Sequence, residues 1–425
     1  MDAKKVTPVA KPLNAKVKVP GSKSITQRAL ICAALAEGES FLEGALRSED
    51  PDLLAHALTS TGVSVEFAAD SFRVKGVGGR PHLSGKEIFM GNNGTGTRFF
   101  LAFASLGRGT PIVVTGTKRL CERPFKPLID ALRAWGAVLR SLKNEGFLPV
   151  EIQGGGLSGQ EVEVSVTESS QFLSALLLVG PYTKEPAKIK LTSPLVSRPY
   201  VDLTIAIMRA FGAEITEKES LFSVSHKRYQ PKKFKVEGDA SSASYFLAAA
   251  ALAGGQVTVT NLPKESLQGD SAFAGILSRM GCEVSYQDGV TVKRDLAKPL
   301  KAIDINMGRY PDLVPTLAVV AAKAQGKTLI RGVPHLRFKE TDRLKAVANE
   351  LKKCGVPVEE LEDGLIIEGQ EKIKGAKIET YEDHRIAMAF AILGLVVPGI
   401  IIKNPSCVAK SFPNFWEVLE GLYRQ

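Results

Sequence analysis

Apolar and polar positions along this chain form a pattern that returns about every 71 residues, six times. Each return opens on a polar cluster and runs into an Ala- and Leu-rich apolar stretch. The clusters are Ser24-Ile-Thr-Gln-Arg28, Thr95-Gly-Thr-Arg98, Ser169-Ser-Gln171, Ser241-Ser-Ala-Ser244, Pro311-Asp312 and Asp383-His-Arg385. The second half of each unit also recurs. Gly62, Gly136, Gly212, Gly281 and Gly355 each close an amphipathic stretch and precede a short β-branched run, at spacings of 74, 76, 69 and 74. Self-similarity at a fixed period sets the architecture before any local signal does. The pattern predicts six copies of a two-helix α/β unit, each reading strand, polar cap, helix, strand, loop, helix, strand. In the second copy it predicts a helix after Gly-Asn-Asn-Gly94, a strand over 111–115, a helix over 127–135 and a strand over 137–139.

Six units also mean six helix N-termini fronted by polar or basic groups. Exposed N–H groups and the helix dipole make such ends attractive to anions. The sixth unit stops at its second helix, over 415–422, with no trailing strand, whereas 4–19 is strand-like and belongs to no complete unit. The expectation is that the start of the chain supplies the missing strand. That gives a first domain over 21–237 and a second over 1–20 plus 238–425, three units each, with hinge crossings near 20–21 and 236–240.

Length agrees, since 425 residues exceed what one core usually serves. Hydrophobic content of 44% and charged content of 24% are ordinary globular values. The longest apolar runs, near 245–253 and 387–397, fall short of the roughly 18–20 residues that span a bilayer. The start carries no apolar signal segment. Five scattered cysteines without a C-x-x-C pair point to a reduced cytoplasmic protein with no metal. The net charge of +10 admits nucleic acid, an acidic membrane or a small polyanion as partner. The bases form no block of five or six; many stand at helix starts, which favours the small anion.

The candidate chemistry lies at those starts. Lys23 on a loop, Ser24 as a helix cap and Arg28 one turn inside would all meet one phosphate or carboxylate. Gly91-Asn-Asn-Gly94-Thr-Gly-Thr-Arg98 lets backbone approach an anion, but it is neither a Walker A loop nor a dinucleotide fingerprint. Ser169, Ser170 and Gln171 put two hydroxyls and an amide at one helix start. Ser197 and Tyr200 add a hydroxyl and a phenol on a loop. Arg337-Phe-Lys339-Glu340-Thr-Asp342-Arg343 packs three bases and two acids into seven residues: an ion-paired surface helix start, or cations gripping an anion while Glu340 moves a proton. Cys121, two residues before Arg123, is a candidate nucleophile next to a cation, and His384 lacks partners at metal spacing. Singly, each of these has a plain structural reading. Together they fall at the same end of their repeats, which predicts one basic cleft for a small polyanion.

The stretches Pro20-Gly-Ser-Lys-Ser24 with Arg28, Gly91-Asn-Asn-Gly94-Thr with Arg98, Glu122-Arg-Pro124, Glu168-Ser-Ser-Gln-Phe172, Ser197-Arg-Pro-Tyr200, Glu237-Gly-Asp-Ala-Ser-Ser-Ala-Ser244, Lys339-Glu-Thr-Asp-Arg-Leu344, Asp383-His-Arg385 and Ala409-Lys410 resemble the 5-enolpyruvylshikimate-3-phosphate synthase family over the whole chain. The resemblance implies an EPT/RTPC-like, two-domain inside-out α/β barrel of six βαβαββ repeats, pseudo-threefold in each domain. It implies transfer of the enolpyruvyl group of phosphoenolpyruvate to the 5-hydroxyl of shikimate 3-phosphate, through a tetrahedral intermediate and without cofactor or metal.

By motif, Lys23, Ser24, Arg28, Ser169, Ser170, Gln171, Ser197, Tyr200, Asp312, His335 and Lys339 would hold shikimate 3-phosphate. Lys23, Gly94, Arg123, Gln171, Arg343, Arg385 and Lys410 would hold phosphoenolpyruvate. Asp312 would take the hydroxyl proton, with Glu340 and Lys23 handling protons at the enolpyruvyl carbon and the departing phosphate. The partners implied are these small molecules alone, with no nucleic acid and no membrane, bound by a monomer. Two positions depart from the commoner family pattern: Phe99 stands where proline is usual, and His335 where asparagine is frequent. A UDP-N-acetylglucosamine enolpyruvyl transferase, with the same architecture and donor, is the nearest rival. A non-catalytic or RNA-processing relative is the other, although the 7% of aromatic residues lie mostly within apolar helices.

Overall fold

The computed structural model describes residues 2–423. The chain divides into a contiguous unit, 21–236, and a split unit, 1–20 plus 237–425, of which residues 1 and 424–425 lie outside the described residues. It passes from one unit to the other between 20 and 21 and again between 236 and 237.

Each unit is built on three inner helices. In the contiguous unit these are α1 (Lys23–Leu35), α2 (Gly94–Ser105) and α3 (Gln171–Val179). In the split unit they are α4 (Ala240–Ala253), α5 (Val314–Ala321) and α6 (His384–Gly394). Every residue of α4, α5 and α6 is buried. A helix apolar on all sides is stable only with protein on all sides, and the Ala-rich sequence of α4 lets neighbours approach closely. Within each unit the inner helices pack on one another, and the sheets lie outside them. The second helix of each repeat, such as Lys126–Ala134 or Arg343–Lys353, is amphipathic instead, burying one face only.

Five four-stranded sheets share one pattern. The first strand pairs parallel with the second, the second antiparallel with the third, and the third antiparallel with the fourth. Glu87–Phe89, Ile112–Thr115, Val150–Gly154 and Val138–Ser141 are one example. In three of these sheets the parallel pair is joined by a crossover through the inner helix, as between Glu87–Phe89 and Ile112–Thr115; in the other two the parallel strand, Leu13–Val17 or Lys233–Lys235, comes from beside a crossing between the units. This is the inside-out α/β barrel of βαβαββ repeats. The glycines that end the outer helices adopt left-handed φ, from 79° at Gly355 to 104° at Gly281, a region that penalises any residue with Cβ.

The strand-like stretch 4–19 divides into two short strands in two sheets. Ala3–Lys5 pairs antiparallel with Ile401–Lys403 of the sixth repeat, and Leu13–Val17 pairs parallel with Gly255–Val259 of the fourth. Between them Lys11-Pro12 and Pro8 interrupt the extended run, since proline cannot donate to a ladder. The sixth sheet stays at three strands. Among the described residues, no helix is long and apolar enough to cross a membrane.

Candidate active site

In the contiguous unit the starts of α1, α2 and α3 come within side-chain reach of each other. The cap of α1 is Ser22, whose hydroxyl accepts from the Ile25 amide, so Lys23 and Ser24 belong to the first turn rather than to a loop and a cap. Both Ser22 and Ser24 have the chemistry of a cap; the extended backbone at Ser22 (φ −63°, ψ 120°) decides between them. Lys23 Nζ donates to Asp50 Oδ2 at 3.1 Å, with both side chains largely buried. Arg28 is 1% exposed. Its Nε donates to Thr204 Oγ1 at 2.7 Å and its two Nη to the carbonyls of Ser24 and Tyr200. Burial, the largest influence, pulls its pKa down to about 10, which leaves it cationic at neutral pH. Phe99 lies beneath that guanidinium, 5.1 Å from ring centroid to Cζ, so the departure from proline adds a cation–π contact on α2.

Asn93 caps α2 by accepting from Gly96 N, and its amide donates to the Asp50 carbonyl. The segment that carries Lys23's partner is thereby tied to the glycine-rich loop. Arg98 reaches across to Gln171 Oε1 at 3.0 Å and to the carbonyl of Pro124, while Gln171 Nε2 donates to Thr95 Oγ1. Gly94 faces Arg123: a Cβ there would stand 2.5 Å from Nη1 and 2.7 Å from Nη2. Ser169 Oγ accepts from the Gln171 amide, whereas Ser170, at the N-cap position, makes no side-chain cap bond. Ser197 is the N-cap of the helix Arg198–Ala210 with φ 51°, which places Tyr200 in that helix's first turn and not on a loop. Lys23, Arg28 and Arg98 are thus three buried cations in the first two turns of α1 and α2, whose N-terminal dipole ends are also positive, and Arg123, buried too, faces Gly94 at the start of α2. Such an arrangement favours an anionic ligand.

The split unit repeats the theme with carboxylates interleaved. Arg343 is 1% exposed and holds three acids: Asp383 at 2.7 Å through Nε, Asp312 at 2.8 Å through Nη1 and Glu340 at 2.8 Å through Nη2. It is the hub of a buried network; residues 337–342 do form an ion-paired helix start, with Arg337 Nη1 donating to Asp342 at 2.9 Å, but Arg343 itself turns inward. Burial would lower its pKa, but Asp383, Glu340 and Asp312 overturn that and raise it. Arg385 Nη2 donates to the other oxygen of Asp312 at 2.7 Å. Burial alone would raise the Asp312 carboxyl; Arg385, Arg343 and Lys339 outweigh it and hold the group well below the usual carboxylate range. His335 is 2% exposed, and burial, reinforced by Lys339, drives its pKa down to about 3, so it is neutral at pH 7. Lys410 is buried at the end of the short helical segment Pro405–Lys410. Cys121 is half-buried, with Sγ 3.7 Å from the Gly116 carbonyl.

Asp383 caps α6 as expected, but α4 is capped by Asp239 and not by Ser241. Ser241 instead donates to Asp270, a buried acid that the sequence motifs do not mark. Burial first, then Asp312, push the Asp270 carboxyl up to about 7. The native state therefore holds a proton that the unfolded chain releases between the ordinary carboxylate range and about pH 7. In that window this group makes stability fall as pH rises. Asp270→Asn is neutral throughout and lacks that slope. Its Tm relative to the parent protein should be several degrees more favourable at pH 8 than at pH 5; an equal difference at both would remove Asp270 as a proton holder. Asp50 and Asn93 are the other functional neighbours that sequence reasoning missed. Asn93 sat within a quoted motif, whereas nothing local marks Asp50, 27 residues from Lys23.

Residues 8–419 match the EPSP synthase (3-phosphoshikimate 1-carboxyvinyltransferase) family. Among curated relatives, the 3-phosphoshikimate 1-carboxyvinyltransferase of Sulfurovum sp. is 44% identical over 96% of this chain and 97% of its own. That of Vibrio vulnificus is 42% identical over 99% of each. Among solved structures, an EPSP synthase from Acinetobacter baumannii superposes with a TM-score of 0.80 at 29% identity, covering 98% of this chain and 97% of its own.

Proposed function

The chain belongs to the EPSP synthase family and is a transferase that moves the enolpyruvyl group of phosphoenolpyruvate to shikimate 3-phosphate, and we propose that it does so with the charged helix ends of its two units. The supporting observation is that Lys23, Ser24, Gly94 and Gln171 stand in the first turns of inner helices of one unit, and that Arg343 and Arg385 of the other meet on Asp312, just ahead of α5. The reaction places its product in the shikimate route to aromatic amino acids. An acceptor of the nucleotide-sugar type is not favoured, because the relatives over nearly the full chain carry the shikimate name.

In this proposal shikimate 3-phosphate is held by Ser24, Arg28, Ser169, Ser170, Gln171, Ser197 and Tyr200, and by Asp312, His335 and Lys339. His335, neutral and buried, would contribute a hydrogen bond and no charge. Phosphoenolpyruvate is held by Lys23, Gly94, Gln171 and Arg123, and by Arg343, Arg385 and Lys410. Asp312 takes the 5-hydroxyl proton as carbon–oxygen bond formation gives the tetrahedral intermediate. Glu340 delivers a proton to the methylene carbon and removes it on elimination, and Lys23 offsets charge on the departing phosphate. The protein would act as a cytoplasmic monomer that binds neither nucleic acid nor membrane.

Phosphate release from phosphoenolpyruvate tests the reading. Release should require shikimate 3-phosphate, ignore a chelator and fail with a UDP-amino sugar; release driven by the nucleotide sugar instead would overturn it. Gly94→Ala adds a Cβ that forces the Arg123 guanidinium aside. The KM for phosphoenolpyruvate should rise about tenfold, the cost of one weakened charged hydrogen bond, with that for shikimate 3-phosphate nearly unchanged. Equal changes in both constants would detach Arg123 from the donor.

A further inference from the structure

The segment that delivers Asp383 and Arg385 is strained. Tyr381 and Glu382, immediately before the cap of α6, both adopt left-handed φ, 53° and 56°. Neither is glycine, and two such residues in succession persist only where their surroundings over-determine them. The largest part of the surroundings here is one helix, Arg343–Lys353, with Lys403 adding an ion pair to Glu379. Glu350, fully buried, accepts from the Tyr381 hydroxyl at 2.6 Å through Oε1 and from the Glu379 amide at 3.1 Å through Oε2. Lys353 Nζ donates to both oxygens at 2.8 Å, which compensates the buried charge. Seven residues, two turns, separate Glu350 from Arg343, so both project from the same face of the helix. Arg343 in turn grips Asp383, whose other oxygen accepts from the Arg385 amide. One helix therefore holds the strained segment at both ends, by Glu350 before the left-handed pair and by Arg343 after it.

We propose that Glu350 and Tyr381 are a positioning pair that forces residues 381–382 into the left-handed conformation and so aims Arg385 at phosphoenolpyruvate. The pair touches no substrate itself. The inference rests on the assignment of Arg385 to phosphoenolpyruvate. Releasing the Tyr381 hydroxyl lets the segment relax toward ordinary backbone, swings Arg385 off its line, and leaves residues that hold shikimate 3-phosphate where they are.

Steady-state kinetics of Tyr381→Phe, Glu350→Gln, the double variant and Arg385→Lys, with each substrate varied, test this. Tyr381→Phe loses only a hydroxyl on a partly exposed ring, so folding should survive even where Glu350→Gln unfolds the protein. The expected result is a rise of about tenfold in the KM for phosphoenolpyruvate in each single variant, with that for shikimate 3-phosphate changed less than about twofold. The double variant should be no worse than the poorer single one, because the two residues act through one contact. If Arg385→Lys raises the phosphoenolpyruvate KM and Tyr381→Phe does not, the positioning role is wrong. A rise in both KM values by one factor marks a merely structural pair and also overturns it. If Arg385→Lys leaves that KM unchanged, the assignment of Arg385 fails first and carries the inference with it.

Discussion

Asp312→Ala is expected to lower kcat by about 100-fold or more, the usual worth of a positioned proton acceptor. With both its oxygens on arginines, Arg343 at 2.8 Å and Arg385 at 2.7 Å, Asp312 is a poor base as it stands. The two cations that most depress its pKa, Arg385 and Arg343, are the ones assigned to the anionic groups of phosphoenolpyruvate. In the proposed assignment the donor takes Arg343 and Arg385; their hold on Asp312 would then weaken, its pKa rise and the hydroxyl proton pass to it, which would tie deprotonation to the arrival of the donor. The alanine variant also removes a competing carboxylate from Arg343 and Arg385, so the KM for phosphoenolpyruvate should stay level or fall while kcat collapses. Steady-state rates with both substrates varied read this directly. A kcat within tenfold of the parent, or a loss confined to KM, would take the base role from Asp312.

Arg343→Met should produce the largest loss of stability. It leaves Asp383, wholly buried, together with Glu340 and Asp312, without their shared cation. Breaking a buried ion network from one side costs about 3–5 kcal/mol. The sign with pH follows from Asp312, whose folded pKa is depressed. Its ion pairing contributes stability above the ordinary carboxylate range and loses it as pH falls through and below that range. The gap in urea midpoint between parent and variant should therefore be widest near pH 7 and narrow toward pH 3. A gap that stays constant or widens on acidification would mean that Arg343 stabilises through packing rather than charge.

The six-fold repeat and the place of chemistry at each helix start were legible because apolar periodicity and glycine spacing are local and repeated. The caps were less so. Ser-Lys-Ser at 22–24, Asn-Asn-Gly-Thr at 92–95 and Asp-Ala-Ser-Ser at 239–242 each offer several side chains able to cap. Backbone angles chose Ser22, Asn93 and Asp239, each two residues ahead of the residue that periodicity favours. Partners distant in sequence left no trace: Thr204 lies 176 residues from Arg28. Asp270 carries no motif of its own, and its raised pKa comes from burial and from Asp312. The extent of burial at Arg343 was hidden because five charged residues within seven, from Arg337 to Arg343, resemble a solvated helix start; only the inward turn of that helix brings three acids onto one guanidinium.

The most direct test is a crystal structure with shikimate 3-phosphate and an unreactive phosphoenolpyruvate analogue bound together. Arg385 and the Nη1 of Arg343 should leave Asp312 for the analogue's anionic groups, and the freed carboxylate should lie about 2.6–3.2 Å from the 5-hydroxyl. Arg385 still bonded to Asp312, with the hydroxyl facing another group, would contradict the coupling of proton removal to donor binding.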